Sequence, residues 1–152
     1  MNTPDSAIPE GLPEELRKNL RDPMYRLSNL YWIVVKGDEG EDDLVVKFKP
    51  NRAQQRFIRR LWHRNIILKA RQLGFTTLIS ILWLDHALFN ANQRCGIVAQ
   101  DLEAAEAIFR DKVKFAYEHL PDVLREVMPL KRDSAKELLF AHNNSAVRVA
   151  TS

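Results

Sequence analysis

The spacing of apolar residues along the chain predicts short helices alternating with short strands. Residues 13–20 begin with a proline and two acids followed by two bases, a pattern typical of a short surface helix. Residues 31–35 and 44–48 are rich in β-branched and aromatic residues and flank the acidic, glycine-containing stretch 37–43. We therefore expect a β-hairpin with a solvated acidic loop.

The central part of the chain has the pattern of a strand, a loop, a helix and a second strand. Asn51 can cap a helix over residues 52–62, and residues 64–68 then predict a short buried strand. Residues 76–89 are apolar on nearly all sides, which indicates a helix covered by several neighbours. Residues 95–99 predict a second buried strand, and this order of elements is typical of a parallel α/β sheet.

The last part of the chain adds a helix and a hairpin. Asp101 can cap a helix whose apolar residues recur at helical spacing until Pro121. Residues 122–128 predict one more short helix. Residues 137–140 and 146–150 flank a run of turn-forming residues, so they predict an antiparallel hairpin.

Composition restricts the class of protein. The 152 residues are 45% hydrophobic and 28% charged, which fits a folded domain and argues against disorder. The single cysteine, Cys95, excludes an intrachain disulfide and predicts a buried thiol in a reducing compartment. The amino terminus lacks the features of a secretory signal, and no apolar run reaches the roughly 18 residues that a bilayer requires. We therefore expect a soluble, cytoplasmic protein.

The net charge of +3 conceals a separation of charge along the chain. Residues 44–84 carry nine basic residues and no acidic residue, whereas the rest carries 14 basic and 20 acidic residues, a net charge of −6. Four of the basic residues share one face of the predicted helix: Arg52, Arg56, Arg59 and Arg60. Such a stripe can bind nucleotide phosphates, the DNA backbone or an acidic protein surface, and exposed charge without a partner is the alternative.

The most informative stretch is residues 66–77, IILKARQLGFTT. In a phosphate-binding P-loop, a buried strand leads into a turn whose N–H groups surround the phosphates, and the next helix adds its positive end. The common pattern GxxxxGK[ST] is matched only at Gly74 and Thr76, since Lys69 occupies the first glycine position and Phe75 the lysine position. A basic turn that ends in glycine and binds no nucleotide is the alternative.

Phosphate binding nevertheless needs three features that this stretch can supply. Gly74 is a conformationally free residue near the start of the helix. Lys69 or Arg71 can bring a cation to the phosphates from the other side of the loop. Thr76 or Thr77 can offer a hydroxyl to Mg²⁺.

At these residues the sequence resembles the large terminase subunits of tailed bacteriophages, the ATPases that pump viral DNA into preformed capsids. Residues 69–77, KARQLGFTT, look like the variant P-loop of that family, in which the catalytic cation lies early in the loop. The resemblance implies a three-layer α/β core of the P-loop NTPase type that binds ATP and Mg²⁺, with Lys69 and Arg71 as catalytic residues and Thr76 at the metal. The implied nucleotide-binding residues of the loop are Lys69, Ala70, Arg71, Gln72, Leu73, Gly74, Phe75, Thr76 and Thr77.

The same family carries an adenine-contacting glutamine upstream of the loop. Residues 50–55, PNRAQQ, match that placement, and a glutamine amide can donate to and accept from the adenine edge together. The resemblance to N-x-A-Q favours Gln54 over Gln55. Ordinary helix surface is the alternative for either glutamine.

ATP hydrolysis also needs a second acid for Mg²⁺ and a carboxylate that orients water. In terminases these lie on a later strand ending in Asp-Glu, followed by a nuclease domain. The resemblance covers residues 44–152, preceded by a tail, a helix and the first hairpin strand in residues 1–43. It implies that this chain is the amino-terminal part of a longer ATPase and that the chain alone hydrolyses ATP slowly or not at all. The implied partners of the full protein are double-stranded DNA, the portal, the small terminase subunit and further copies of the chain, with no membrane.

Two other functions stay open. A helicase-like P-loop ATPase shares the upstream glutamine, but Phe75 argues against it. A small basic DNA-binding or capsid-assembly adaptor without nucleotide chemistry belongs to a different class. Asp85 falls on the helix of the loop itself rather than on a metal-binding strand, and we expect the three tryptophans, Trp32, Trp62 and Trp83, to belong to the core.

Overall fold

The computed structural model describes residues 2–68 and 74–152 as a mixed α/β protein. The helices are α1 (Glu14–Leu20), α2 (Pro23–Asn29), α3 (Arg52–Arg59), α4 (Phe75–Phe89), α5 (Leu102–Ile108), α6 (Phe115–Glu118) and α7 (Asp122–Val127). The strands are β1 (Trp32–Val35), β2 (Leu44–Lys47), β3 (Arg94–Ala99), β4 (Leu130–Asp133), β5 (Glu137–Phe140) and β6 (Ala146–Thr151). None of the helices in these two ranges is long and apolar enough to cross a membrane.

Strands β1 and β2 form the predicted hairpin as a separate two-stranded sheet. The pairing is antiparallel and runs from Val35 opposite Leu44 at the loop end to Trp32 opposite Lys47 at the other end. Residues 38–43 of the acidic loop are exposed, as predicted, and all four residues of β2 are exposed as well. The hairpin therefore projects from the molecule with much of its surface uncovered.

The second sheet has four strands in the order β3-β6-β5-β4. Strands β5 and β6 pair antiparallel and confirm the second predicted hairpin. The parallel pair is formed by β3 and β6, with Cys95 opposite Val147. Strand β4 pairs antiparallel with β5 and was not predicted, because its sequence Leu130–Asp133 has only one apolar residue.

Alternating burial shows that the helices cover one face of this sheet. Cys95, Leu138, Phe140, Val147 and Val149 point into the core and are nearly inaccessible to solvent. The intervening residues of the strands point to the other face, where the exposed positions include Arg94, Gly96, Val98, Arg148 and Ala150. Among the residues that the structure describes, the sheet and the helices on one of its faces form two layers of the expected three-layer arrangement.

The predicted buried strand at residues 64–68 is wrong. These residues pair with no strand of the described chain, and the side chains of Ile66 and Leu68 are 91% and 95% exposed. The amide of Asn65 explains part of the difference, because it accepts from the N–H of Trp62 at 3.1 Å and donates to the Trp62 carbonyl at 2.7 Å. This local turn satisfies backbone groups that a longer helix or a sheet would otherwise use, and α3 accordingly ends at Arg59 rather than near residue 62.

The expectation that all three tryptophans are core residues is also wrong. Trp62 is 72% exposed and Trp83 is 38% exposed. Trp32 is half-buried, with the ammonium of Lys47 5.4 Å from its ring centroid. Two of the three large aromatic side chains thus contribute to the surface instead of the interior.

Helix α4 forms the centre of the core, as its apolar sequence predicts. Leu78, Ile81, Leu84 and Leu88 on this helix are completely buried. Asp85 lies on the same helix, as predicted, and its carboxylate accepts hydrogen bonds from Arg26 and from the Tyr31 hydroxyl. This buried ion pair links α2 to α4.

The predicted long helix after Asp101 is present but not uniformly α-helical. The Asp101 side chain caps α5 by accepting from the N–H of Ala104 at 2.8 Å. A π-helical segment, Phe109–Lys114, then joins α5 to α6. The wider turn places Lys112 so that its ammonium donates to the Val34 carbonyl of β1 at 2.8 Å.

Candidate nucleotide-binding site

The first part of the candidate site is the amino-terminal turn of α3. Asn51 caps the helix as predicted, because its side chain accepts from the N–H of Gln54 at 2.9 Å. The Gln54 side-chain oxygen accepts in return from the N–H of Asn51 at 2.8 Å, which completes a capping box. The cap therefore fixes the backbone and the side chain of Gln54 together.

The second part is the start of α4, and Gln54 contacts it directly. The Gln54 Nε2 donates to the carbonyl of Gly74 at 2.9 Å across 20 residues of sequence. Gln54 is only 4% exposed. The two segments that the sequence assigns to one nucleotide, the glutamine and the end of the loop, are thus in contact.

Gly74 occupies a position that other residues tolerate poorly. Its φ angle is +72°, in the left-handed region that favours glycine. A Cβ atom at this position would lie 2.9 Å from the Gln54 Nε2, closer than real Cβ contacts allow. The backbone angle therefore favours glycine here, and a larger residue would also displace the Gln54 amide.

The amino terminus of α4 has no side-chain cap. Gly74 is its N-cap residue and accepts from the N–H of Leu78 at 3.0 Å. The helix is 15 residues long, and the positive end of its dipole lies at this terminus, where it favours an anion. Thr76 is exposed in this first turn and Thr77 is half-buried.

Phe75 serves the core rather than the candidate ligand. Its side chain is 9% exposed and meets Phe57 of α3 edge to face, with ring centroids 5.7 Å apart. An apolar residue at the position where common P-loops carry lysine thus has a packing role. Phe57, three residues after Gln54, belongs to the motif that favours Gln54 in the sequence, and the structure adds its contact with Phe75.

The five residues Lys69, Ala70, Arg71, Gln72 and Leu73 lie outside the described residues. The assignment of Lys69 or Arg71 as the catalytic cation therefore stays a prediction. Leu68 and Gly74, on either side of the segment, are described.

The assignment of Gln54 to adenine also stays a prediction. Among the described residues, its amide oxygen and nitrogen each have one protein partner, so one lone pair and one N–H have no partner there. Gln55 is half-buried and donates to the carbonyl of Pro50 at 2.9 Å. Either glutamine retains enough hydrogen-bonding capacity to contact a base, and Gln54 is the one that also contacts the loop.

A cavity of about 320 Å³ lies between the start of α4 and the carboxyl end of β3. Its lining combines Thr76 and Ser80 of α4 with Val98 and Ala99 of β3. Its volume is at the lower end of the range for small-molecule sites. Open α/β sheets bind ligands at the carboxyl ends of their strands, so the location suits a ligand of the phosphate loop.

The arginine stripe lies on the solvent side of α3, opposite Gln54. Arg52, Arg56, Arg59 and Arg60 are exposed. Within residues 2–68 and 74–152 none of them forms an ion pair with an acid. Three or more His, Cys, Asp or Glu residues do not come together in these ranges as a metal site.

No model of a known protein family matches this chain, and a search of curated proteins also finds no match. The function is therefore inferred from the geometry around Gln54 and Gly74 and from the sequence of the loop.

Proposed function

We propose that this chain binds MgATP through a P-loop of the terminase type, as part of an ATPase that translocates double-stranded DNA into procapsids. The observation that carries the proposal is the 2.9 Å hydrogen bond from the buried Gln54 amide to the carbonyl of Gly74. It joins the predicted adenine-contacting residue to the predicted phosphate loop. The contact is partly buried and bridges two segments that are 20 residues apart in sequence, which supports a site shared by both.

In this proposal each residue has a distinct role. The uncapped N–H groups at the start of α4 bind phosphate oxygens. Lys69 and Arg71 neutralise phosphate charge, and the exposed Thr76 hydroxyl reaches the Mg²⁺ ion. Gln54 uses its remaining N–H and lone pair for the adenine edge. Double-stranded DNA, the portal, the small terminase subunit and further copies of the chain are the partners of the complete assembly.

Titration with a fluorescent ATP analogue, with and without Mg²⁺, tests this proposal. We expect saturable binding that Mg²⁺ strengthens. The variant Lys69→Ala/Arg71→Ala should bind at least about tenfold more weakly, because roughly 1.4 kcal/mol of phosphate contact corresponds to that factor. The exposed Lys18→Ala/Lys136→Ala pair removes the same charge elsewhere and should leave affinity unchanged. Absence of saturable binding, or an equal loss in both double variants, would contradict the proposal.

A second candidate function is favoured by the exposed arginine stripe of α3. A basic DNA-binding or capsid-assembly adaptor needs such a stripe and no nucleotide. Its DNA affinity would fall steeply with salt and would not respond to ATP. The helicase-like alternative is less favoured, because the position of its P-loop lysine is occupied by Phe75, whose side chain packs on Phe57.

A further inference from the structure

The first surface that the nucleotide site does not explain is the β1–β2 hairpin, which we call the acidic hairpin. Its strands expose apolar side chains to solvent: Val35 by 42%, Leu44 by 61%, Val45 by 52% and Val46 by 36%. Its loop exposes five acids, Asp38, Glu39, Glu41, Asp42 and Asp43. Within the described ranges none of these acids forms an ion pair. The hairpin thus combines an uncovered apolar ribbon with an unneutralised acidic tip.

The second surface is a groove between the end of α3 and the outer side of α4, which we call the tryptophan groove. It has a volume of about 570 Å³ and is lined by Phe57, Leu61, Trp62, His63, Asn65, Ile67, Ile79 and Trp83. Trp62, Leu61 and Trp83 are 72%, 40% and 38% exposed. A contiguous apolar groove of this kind is typical of an interaction surface.

Basic residues border the tryptophan groove. Arg59, Arg60 and Arg64 lie on the segment that forms its α3 side, and all three are exposed. His63 belongs to the lining itself. The groove is therefore an apolar surface with a basic edge, whereas the acidic hairpin is an apolar surface with an acidic edge.

The two surfaces do not contact each other among the described residues. The loop acids and Arg59, Arg60 and Arg64 are all exposed, and in the described chain no ion pair joins the two sets. The register places the loop beside Val35 and Leu44, while α3 follows from the opposite end of the hairpin, beside Lys47. These two ends are about 10 Å apart at the usual rise per residue. A second copy can instead bring its acidic tip to the groove.

We propose that the acidic hairpin of one copy docks in the tryptophan groove of a second copy. The apolar side chains of β2 would cover Trp62 and Trp83, and the loop acids would face Arg59, Arg60 and Arg64. Because the two surfaces differ, a single contact leaves a free groove on one copy and a free hairpin on the other, and a reciprocal pair or a closed ring occupies both. This association does not depend on nucleotide and does not rest on the proposed ATPase function.

Sedimentation velocity at increasing protein concentration tests the proposal through charge reversal. Two variants are needed: a groove variant, Arg59→Glu/Arg60→Glu, and a hairpin variant, Asp42→Lys/Asp43→Lys. We expect the wild type to associate at low salt and to dissociate at about 0.5 M salt, where screening is strong. Each variant alone should associate at least about tenfold more weakly, and an equimolar mixture of the two should associate again. The mixture recovers because the groove variant keeps the native hairpin and the hairpin variant keeps the native groove, so the native contact can form between the two variants.

A matched control and a fold check complete the experiment. Glu15→Lys/Glu126→Lys makes the same charge change at exposed acids outside both surfaces and should associate like the wild type. Trp62→Ser should weaken association without a loss of thermal stability, since that side chain is mostly exposed. Circular dichroism verifies that every variant is folded. A wild type that stays monomeric at low salt, or a mixture that associates no better than its components, would overturn the proposal.

Discussion

Among individual residues, the buried Arg26–Asp85 pair is the most consequential for stability. The guanidinium donates to both carboxylate oxygens of Asp85 at 2.9 Å and also to the carbonyl of Leu20 at 2.6 Å. The Tyr31 hydroxyl donates to the same carboxylate at 2.5 Å. The Arg26 guanidinium also lies over the Phe89 ring, 4.4 Å from its centroid. Every charge in this network is therefore compensated as long as all members are present.

Replacing Asp85 by alanine should cost about 3–5 kcal/mol of unfolding free energy, because Arg26 would remain buried without its counter-ion. Asp122 forms an ion pair with Arg125 at the surface, and Asp122→Ala should cost less than about 1 kcal/mol. Urea unfolding followed by circular dichroism measures both values. Equal small losses for the two variants would show that the buried pair contributes no more than a surface pair.

The sequence could place Asp85 on a helix but could not supply its partner. The apolar residues around Asp85 continue the helix that follows the loop, and α4 confirms that Asp85 lies on this helix. Arg26 is 59 residues away along the chain, and neither residue has a local pattern that connects them. Pairing over such a distance is decided by how α2 packs on α4, which is a tertiary property.

At the level of helices, the contact between α3 and the start of α4 can be tested by substitution. Gly74→Ala should destabilise the protein by about 1–2 kcal/mol, because its left-handed φ angle is strained for alanine. The new Cβ would also press on the Gln54 amide, 2.9 Å away. Adding Gln54→Ala removes the clash, so the double variant should lose less than the sum of the two single losses.

Gly40 provides the matched control. Its φ angle is +91°, but a Cβ there would meet nothing within 4 Å. Gly40→Ala should therefore show the backbone strain alone, and its loss should add to that of Gln54→Ala without coupling. Thermal unfolding of the single and double variants gives both coupling energies, and equal coupling at Gly40 and Gly74 would refute the contact.

Elements with a strong local signal were predictable, and elements that depend on distant pairing were not. Asn51 and Asp101 cap their helices as predicted, because capping uses only neighbouring residues. The hairpins β1–β2 and β5–β6 follow from short apolar runs around turn residues. Residues 64–68 have the composition of a strand, but in the described chain they pair with no neighbouring strand. The local pattern could not reveal that difference.

In the molecule as a whole, basic and acidic residues are separated, as the sequence indicated. The structure was needed to show on which surfaces these charges lie. The nine basic residues of segment 44–84 predicted a place for polyanions. The structure adds that the described arginines of α3 border the groove of Trp62 and Trp83, which the sequence had assigned to the core. Whether an aromatic residue is covered depends on the packing of distant elements, so composition alone could not decide it.

The pH dependence of the stability of the whole molecule can be predicted from two buried ionisable groups, the Cys95 thiol in β3 and the Tyr31 hydroxyl just before β1. Burial raises the pKa of the Cys95 thiol from 9.0 to about 11. Burial, together with the neighbouring Asp85, also raises the pKa of Tyr31 well above its ordinary value of 10.0. In both cases the folded protein keeps a proton that the unfolded chain has released. The stability from these groups is therefore complete below about pH 9 and declines as pH rises toward the folded pKa values.

Cys95→Ala isolates the thiol contribution, because every other titrating group is common to both proteins. At neutral pH the variant should be less stable than the wild type, since it removes the sulfur of a core residue that is only 7% exposed. At about pH 10 the difference should shrink by about 1–2 kcal/mol, because only the wild type then loses stability through thiol ionisation. Urea unfolding of both proteins at the two pH values measures the change. A stability difference that is the same at both would mean that the Cys95 thiol ionises as readily in the folded protein as in the unfolded chain.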